Sequence, residues 1–198
     1  MNGEIYSLRQ KGKRHKAAEK RGVFVHSTPI SERPQGAKDR SEFGHWELDS
    51  MVSSRGKSKG CFSTFAERKT RLYVAYCGAD RTSDTMKAAI TKLYTTLPKG
   101  AFKTATTDRG KEFACYESVK EDLDLTLYFA DAYAPWQRGT NENSNGLLRE
   151  FFPKKTNLAK ITQEKLAKCL WLINNRPRKC LGWKSPIQVF LYEVSHLT

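Results

Sequence analysis

Three acidic residues define the chemistry open to this chain. Asp49 closes the run His45-Trp-Glu-Leu-Asp49, Asp108 follows the run from Phe102 to Thr107, and Glu142 opens a helix-like stretch; the separations are 59 and 34 residues. Asp is a poor strand former, so its place among apolar strand residues at 49 asks for a reason beyond local propensity. Carboxylates brought together repel one another, and a divalent cation is the usual compensation. With oxygen ligands and no His or Cys in the set, the expected cation is Mg²⁺ or Mn²⁺. Two such ions about 3.5 to 4 Å apart activate a water or a nucleic-acid 3′-hydroxyl and stabilise the leaving oxygen of an in-line phosphoryl transfer. Spacing alone is a weak signal, because 21 acids generate many such triples and an acid at a strand end is ordinarily a turn residue.

The stretch Trp136-Gln-Arg-Gly-Thr-Asn-Glu-Asn-Ser-Asn-Gly-Leu-Leu-Arg149 must position the third acid. Gly139 turns freely, Thr140 or Asn141 is a natural helix N-cap, and Glu142 then falls in the first turn beside the positive end of the dipole. Arg149 comes seven residues later, about two turns on, so both charges project from one face with Asn145 and Gly146 between them. Leu147, Leu148, Phe151 and Phe152 are the apolar anchors, and Pro153 stops the helix. An ordinary capped surface helix has the same pattern, so what lies upstream decides.

The chain has 198 residues and a net charge of +14. Residues 1–40 carry ten Lys/Arg against four Asp/Glu, residues 149–184 ten against two, and residues 41–148 fifteen against fourteen. Two basic arms around a neutral middle suit a polyanion, above all nucleic acid. The five cysteines are widely spaced without a CxxC pair, and the four histidines form no HxxxH. That pattern argues against a zinc site or disulfide framework and for a reducing cytoplasm. The apolar runs are too short to span a bilayer, and the N-terminus has no apolar signal-peptide region.

The order of elements supplies a frame. Residues 1–43 read as an extended basic arm, and residues 44–198 as the folded core. Three strands, His45 to Val52, Cys61 to Ala66 and Arg71 to Cys77, form an antiparallel meander. A helix from Thr82 or Ser83 to about Leu97, a short strand from Phe102 to Thr107, a helix from Glu112 to Leu123 and a strand from Thr126 to Ala130 follow. The helix carrying Glu142, one from about Thr162 to Asn175 and a last one near Ser185-Pro186 complete the chain. This is an α/β pattern, a mixed five-stranded sheet flanked by helices, in the order of the ribonuclease H-like fold. In that fold the first and fourth strands are neighbours, which sets Asp49 beside Asp108.

Five motifs then resemble a known family: Gly44-His-Trp-Glu-Leu-Asp49, Ala66-Glu-Arg-Lys-Thr-Arg71, Thr107-Asp-Arg-Gly-Lys-Glu-Phe113, Trp136 to Gly146, and Asn175-Arg-Pro-Arg-Lys-Cys-Leu-Gly-Trp183. From about residue 20 to 192 the chain resembles the catalytic half of bacterial insertion-sequence transposases of the IS-thirty family, within the DDE transposase and retroviral-type integrase group. The resemblance implies an Asp49, Asp108 and Glu142 triad holding two Mg²⁺ (or Mn²⁺) ions, cleavage at transposon ends, and transfer of the freed 3′-hydroxyls to target DNA. It implies work as a homo-oligomer on DNA, with no membrane and no small-molecule substrate. Arg149 matches the family's basic residue after the glutamate and implies a phosphate contact. Arg109, Arg138, Asn141, Asn143 and Asn145 are expected to touch DNA or position the triad, and Lys154, Lys155, Arg176, Arg178 and Lys179 to meet backbone phosphates. Trp136 and Trp183 read as core or as a DNA-stacking surface, and Trp46 as core. Ala132 and Leu48 depart from the family's common proline and glycine. The helix-turn-helix half that precedes this core in the family is expected to lie outside the chain. A non-catalytic DNA-binding remnant and a nuclease of the same fold remain alternatives.

Overall fold

In strand β2 (His45–Val52) the side chains alternate between two faces. Trp46 and Leu48 are buried on one face, while Glu47, Asp49 and Met51 turn to the other, as a two-residue period requires. The computed structural model describes residues 28–197 apart from Arg55, Lys57 and Tyr133. β2 pairs antiparallel with β3 (Cys61–Glu67), which pairs with β4 (Tyr73–Gly78). On its other edge β2 runs parallel to β5 (Thr104–Thr107), which runs parallel to β6 (Thr126–Phe129).

A sixth strand, β1 (Thr28–Pro29), adds to the expected five and extends the sheet beyond β6, giving the order β1-β6-β5-β2-β3-β4. Its two residues lie within the region expected to be an extended arm. Residues 28–43 instead fold against the body: helix α1 (Gln35–Asp39) buries Ala37, the guanidinium of Arg33 donates to Thr106 Oγ1 at 3.2 Å, and Phe43 packs edge-on against Phe190. Three separated side chains here find buried partners that no short-range pattern announces. The remainder of the expected arm, 1–27, lies outside the described residues.

Helices α2 (Ser83–Thr96) and α3 (Tyr116–Leu123) cover one face of the sheet, and Phe190 of α6 (Pro186–Ser195) completes that core with Trp46 and Phe43. Helices α4 (Gly139–Phe151) and α5 (Gln163–Asn175) cover the other face, where Leu148, Phe152, Leu166 and Ile173 meet Met51, Phe62 and Tyr73. The helices begin near the expected positions, and caps form there: Thr82 and Thr162 accept from the N–H groups of Thr85 and Lys165, and Ser185 makes a reciprocal capping box with Gln188. The expected single helix from 112 to 123 is a 3₁₀ turn (Lys111–Phe113) followed by α3. No helix among the described residues is long and apolar enough to cross a membrane, and the five cysteines are free thiols.

Candidate active site

The parallel register of β2 and β5 pairs Glu47 with Thr106, and carried two residues further it sets Asp49 level with Asp108. Both carboxyls emerge on the face that carries α4, with 27% and 36% of their side chains exposed. Arg138, in the 3₁₀ turn Pro135–Arg138 that leads into α4, bridges them. Its Nη2 donates to Asp108 Oδ2 at 3.1 Å, and its Nη1 lies 3.8 Å from Asp49 Oδ1. The backbone N–H of Ser50 donates to Asp49 Oδ1 and that of Gly110 to Asp108 Oδ1, each at 2.8 Å. Burial raises the Asp49 carboxyl above the usual range; Arg138 and the Ser50 bond oppose this, and the like charges of Asp108 and Glu112 add to it.

The sheet also fixes where α4 begins. Asn141 is buried, and its Nδ2 donates to Glu47 O at 2.8 Å and Thr64 O at 3.3 Å while its Oδ1 accepts from Thr64 Oγ1. Its backbone N–H donates to Glu47 Oε2 at 2.8 Å, so a carboxylate from β2 caps the helix end from outside, where the dipole favours negative charge. Glu47 is held in turn by Arg68, another buried side chain, which also donates to Ala37 O at 2.7 Å. Burial pushes the Arg68 guanidinium down to about 10, and the neighbouring Glu47 opposes that shift. The N-cap expected from Thr140 or Asn141 is accordingly not made: α4 starts earlier, from Arg138, because both side chains are engaged elsewhere.

One turn on, Asn145 donates to Asp49 Oδ2 at 3.0 Å and accepts from the buried Tyr73 hydroxyl. Asn141 and Asn145 thus direct their amides to β2 and to Asp49, the positioning arrangement that was one of their two expected roles. Arg149 donates to Val52 O at 3.0 Å, at the end of β2. Arg138, Asn145 and Arg149 therefore mark one face of α4 laid along β2, and Glu142, four residues after Arg138 and three before Asn145, belongs to that face. Glu142 is exposed, and among the described residues no group of three Asp, Glu, His or Cys is gathered to hold a metal. The structure brings Asp49 and Asp108 together through a guanidinium and leaves Glu142 on the adjoining rim.

The sequence reading missed Glu112, a buried acid in the same cluster. Its Oε1 accepts from Ser50 Oγ and from Arg81 Nε, each at 2.6 Å, tying the residue after Asp49 to the turn after Asp108. Gly110 leaves room between them: a Cβ there would press on the carboxyls of both Glu112 and Asp108, and one of them would have to shift. The available signal was Glu112 standing four residues after Asp108 inside the Thr107–Phe113 motif. Tyr73 carried no such signal, because its hydroxyl reaches Asn145 from β4 across the face of the sheet that α4 and α5 cover.

Comparison with known proteins places this arrangement. The chain is 40% identical over 186 residues to the transposase InsI of insertion sequence element IS30A from Escherichia coli (strain K12), a match covering 93% of the chain and 48% of the relative. It is 34% identical over 185 residues to the transposase of IS1086 from Cupriavidus metallidurans, covering 93% of the chain and 54% of that protein. Its homologues are insertion-sequence transposases of the IS30 family. The chain spans about half the length of these IS30 relatives. No family model matches it. Among solved structures it resembles a chain of the simian T-cell lymphotropic virus intasome in complex with PP2A regulatory subunit B56 gamma (TM-score 0.60, 20% identity, 74% of this chain and 53% of that one). It also resembles the catalytic core domain of BIV integrase (TM-score 0.57, 17% identity, 77% and 96%). The fold is the ribonuclease H-like fold of integrase catalytic cores.

Around Asp49 and Asp108, the remaining basic residues fall into two groups. Lys154, Lys155, Arg176 and Lys179 are exposed, Arg176 within 3.8 Å of Glu150. Arg109 and Arg178 are half-buried: Arg109 donates to Ala130 O, and Arg178 lines a cavity with Arg40 and Arg71. Trp46 is core, as expected, with its indole N–H on Ala101 O. Trp136 and Trp183 are 75% and 70% exposed and leave the core altogether.

Proposed function

We propose that this chain is the catalytic core of a DNA transposase, cleaving DNA at element ends and joining the freed 3′-hydroxyls to target DNA by metal-dependent phosphoryl transfer. The observation that carries the proposal is the pair Asp49 and Asp108, set level on adjacent parallel strands and bridged by Arg138, on a core whose homologues are transposases. The donor set fits a hard divalent cation: two carboxyls side by side, one of them destabilised as an anion by burial, with a cationic group already drawn between them. Asp49, Asp108 and Glu142 would hold two Mg²⁺ or Mn²⁺ ions, whose chemistry there is to activate the attacking hydroxyl and stabilise the leaving oxygen.

The protein's own groups do the rest. Ser50 N–H and Asn145 each hold one oxygen of Asp49, and Gly110 N–H holds one of Asp108, so both carboxyls are oriented before substrate arrives. Arg138 carries the positive charge of the site and is placed to take a non-bridging phosphate oxygen once the acids turn to their cations. The exposed ring of Trp136, two residues from Arg138, offers a stacking surface for a base at the reacting end. Arg109, Arg149, Lys154 and Lys155 would meet backbone phosphates. Action as a homo-oligomer on DNA, in the cytoplasm, completes the proposal; the exposed Trp171, Leu172, Leu191 and Tyr192 on the adjacent helices α5 and α6 offer apolar surface for subunit contact.

The test is Mg²⁺-dependent joining of a labelled, pre-cleaved element-end duplex to plasmid DNA. The wild-type chain is expected to join, and Glu142→Gln and Asp108→Asn to fail while melting normally. Nicks without joints would make the protein a hydrolase of this fold. Absence of any product from a folded wild-type chain would overturn the proposal.

A further inference from the structure

The back of α4 carries a second cluster, of the opposite charge. With about 100° per residue, Thr140 and Ser144 lie on the face opposite Arg138, Glu142, Asn145 and Arg149. That opposite face borders a cavity of about 200 Å³ into which Arg40, Arg71 and Arg178 converge, and no acidic residue lines it. Two of the guanidiniums already compete for one oxygen: Arg40 Nη2 and Arg71 Nη1 donate to Thr140 Oγ1 at 3.4 and 3.2 Å. The Nε groups of Arg40 and Arg178 are buried without a hydrogen-bond partner, an arrangement native proteins seldom tolerate.

Glu47 and Glu150 act on Arg71 and Arg178 only from a distance, without an ion pair. Among the described residues the arginine ion pairs belong to Arg68, Arg81, Arg138 and Arg176, and none to the three that meet here. Burial presses both Arg71 and Arg178 below their usual range; Cys180 opposes this in both, and neighbouring guanidiniums add to it. Arg40 and Arg71 are also held at φ of 64° and 63°, a left-handed conformation that non-glycine residues rarely adopt and that gathers at ligand sites. Three desolvated, mutually repelling guanidiniums with free N–H donors form a receptor for a tetrahedral oxyanion.

We propose that this cavity binds a backbone phosphate of DNA, on the side of α4 turned away from Asp49 and Asp108. The assignment rests on the DNA-directed reading above. A polynucleotide is favoured over a free phosphate because the exposed Arg176 and Lys179 flank Arg178 in the chain and continue the positive surface beyond the cavity, which only an extended polyanion uses. Strand held here would be gripped independently of the reacting end, as an anchor for one of the two DNA partners.

Anisotropy titrations of the full chain with labelled duplexes of unrelated sequence test this, in EDTA and across salt from about 50 to 200 mM. One lost phosphate contact removes about 0.9 from the slope of log affinity against log salt, which at about 0.1 M salt is roughly an eightfold loss. Arg178→Ala is expected to show both, equally on every sequence. Cys180→Glu is the second variant: Cys180 is exposed and borders the cavity, so a carboxylate there opposes the anion without disturbing the core. Unchanged affinity and slope in both variants, with normal melting, would overturn the proposal. If inorganic phosphate raises the wild-type melting temperature, Arg178→Ala abolishes that rise and DNA affinity is unaltered, the cavity takes free phosphate and the DNA assignment falls. If the variants lose affinity as expected but the wild-type chain joins no strands, the proposed function falls and the phosphate site stands.

Discussion

Replacing Asn141 tests whether the sheet, rather than the apolar anchors, aims α4 at the acids. In Asn141→Ala the carbonyls of Glu47 and Thr64 each lose a donor and Thr64 Oγ1 loses one of its two acceptors, all in a buried setting. Each such loss costs about 1 kcal/mol net, so the variant should be destabilised by roughly 2 to 3 kcal/mol. With a urea m-value of about 2 kcal/mol/M, the unfolding midpoint falls by about 1 to 1.5 M. Asn141→Asp should cost more, because a carboxylate oxygen then faces both carbonyls in place of the amide N–H and adds a buried charge beside Glu47. Under conditions where the alanine variant is still folded, joining should drop by about a hundredfold, the usual effect of an approximately 1 Å displacement of catalytic groups. Urea unfolding followed by fluorescence, with joining assayed in parallel, gives both readings. A midpoint within about 0.3 M of wild type together with normal joining would refute the reasoning and leave Leu148 and Phe152 as the groups that place the helix.

Three other outcomes are expected. Tyr73→Phe removes the hydroxyl that holds Asn145, costing about 1 kcal/mol in urea unfolding and lowering kcat for joining while KM for DNA stays level, since Asp49 loses its orientation and no DNA contact is touched. Burial lowers the His45 imidazole below 6.5 despite the Glu42 carboxylate 3.0 Å away, so at neutral pH that contact is a neutral Nε2–H donating to Glu42 while Nδ1 accepts from Thr104, and not an ion pair. A lowered folded value means stability is present above 6.5 and is lost as pH falls through the folded value, by at most about 1.4 kcal/mol per pH unit. The difference in urea stability between wild type and His45→Gln should shrink over that window and be flat above it, and this difference separates His45 from Asp49 and Glu67, whose burial-raised carboxyls act in the opposite sense. Trp136→Ala should weaken single-strand binding by about tenfold if its exposed ring stacks on a base; anisotropy at fixed salt with unchanged affinity would remove it from the site.

What the sequence alone determined is what short spacing encodes. The alternation in His45–Val52, the helical spacing of α2 and α5, the caps at Thr82, Thr162 and Ser185, and the stop at Pro153 are local preferences, and the structure reproduces them within a few residues. From the order of those elements even the pairing of Asp49 with Asp108 followed, because one topology sets the strands that carry them side by side. Tertiary structure alone decided which side chains meet across long stretches of chain. Asn141 became a buried strut because Glu47 and Thr64 stand beneath it. Glu112 joined the acids because Ser50 and Arg81 hold it there. Arg40, Arg71 and Arg178 converge from three turns separated by 31 and 107 residues. Hydrogen bonding, desolvation and charge repulsion act over a few ångströms in space, and only strand register and the seat of α4 bring residues so distant in sequence within that range.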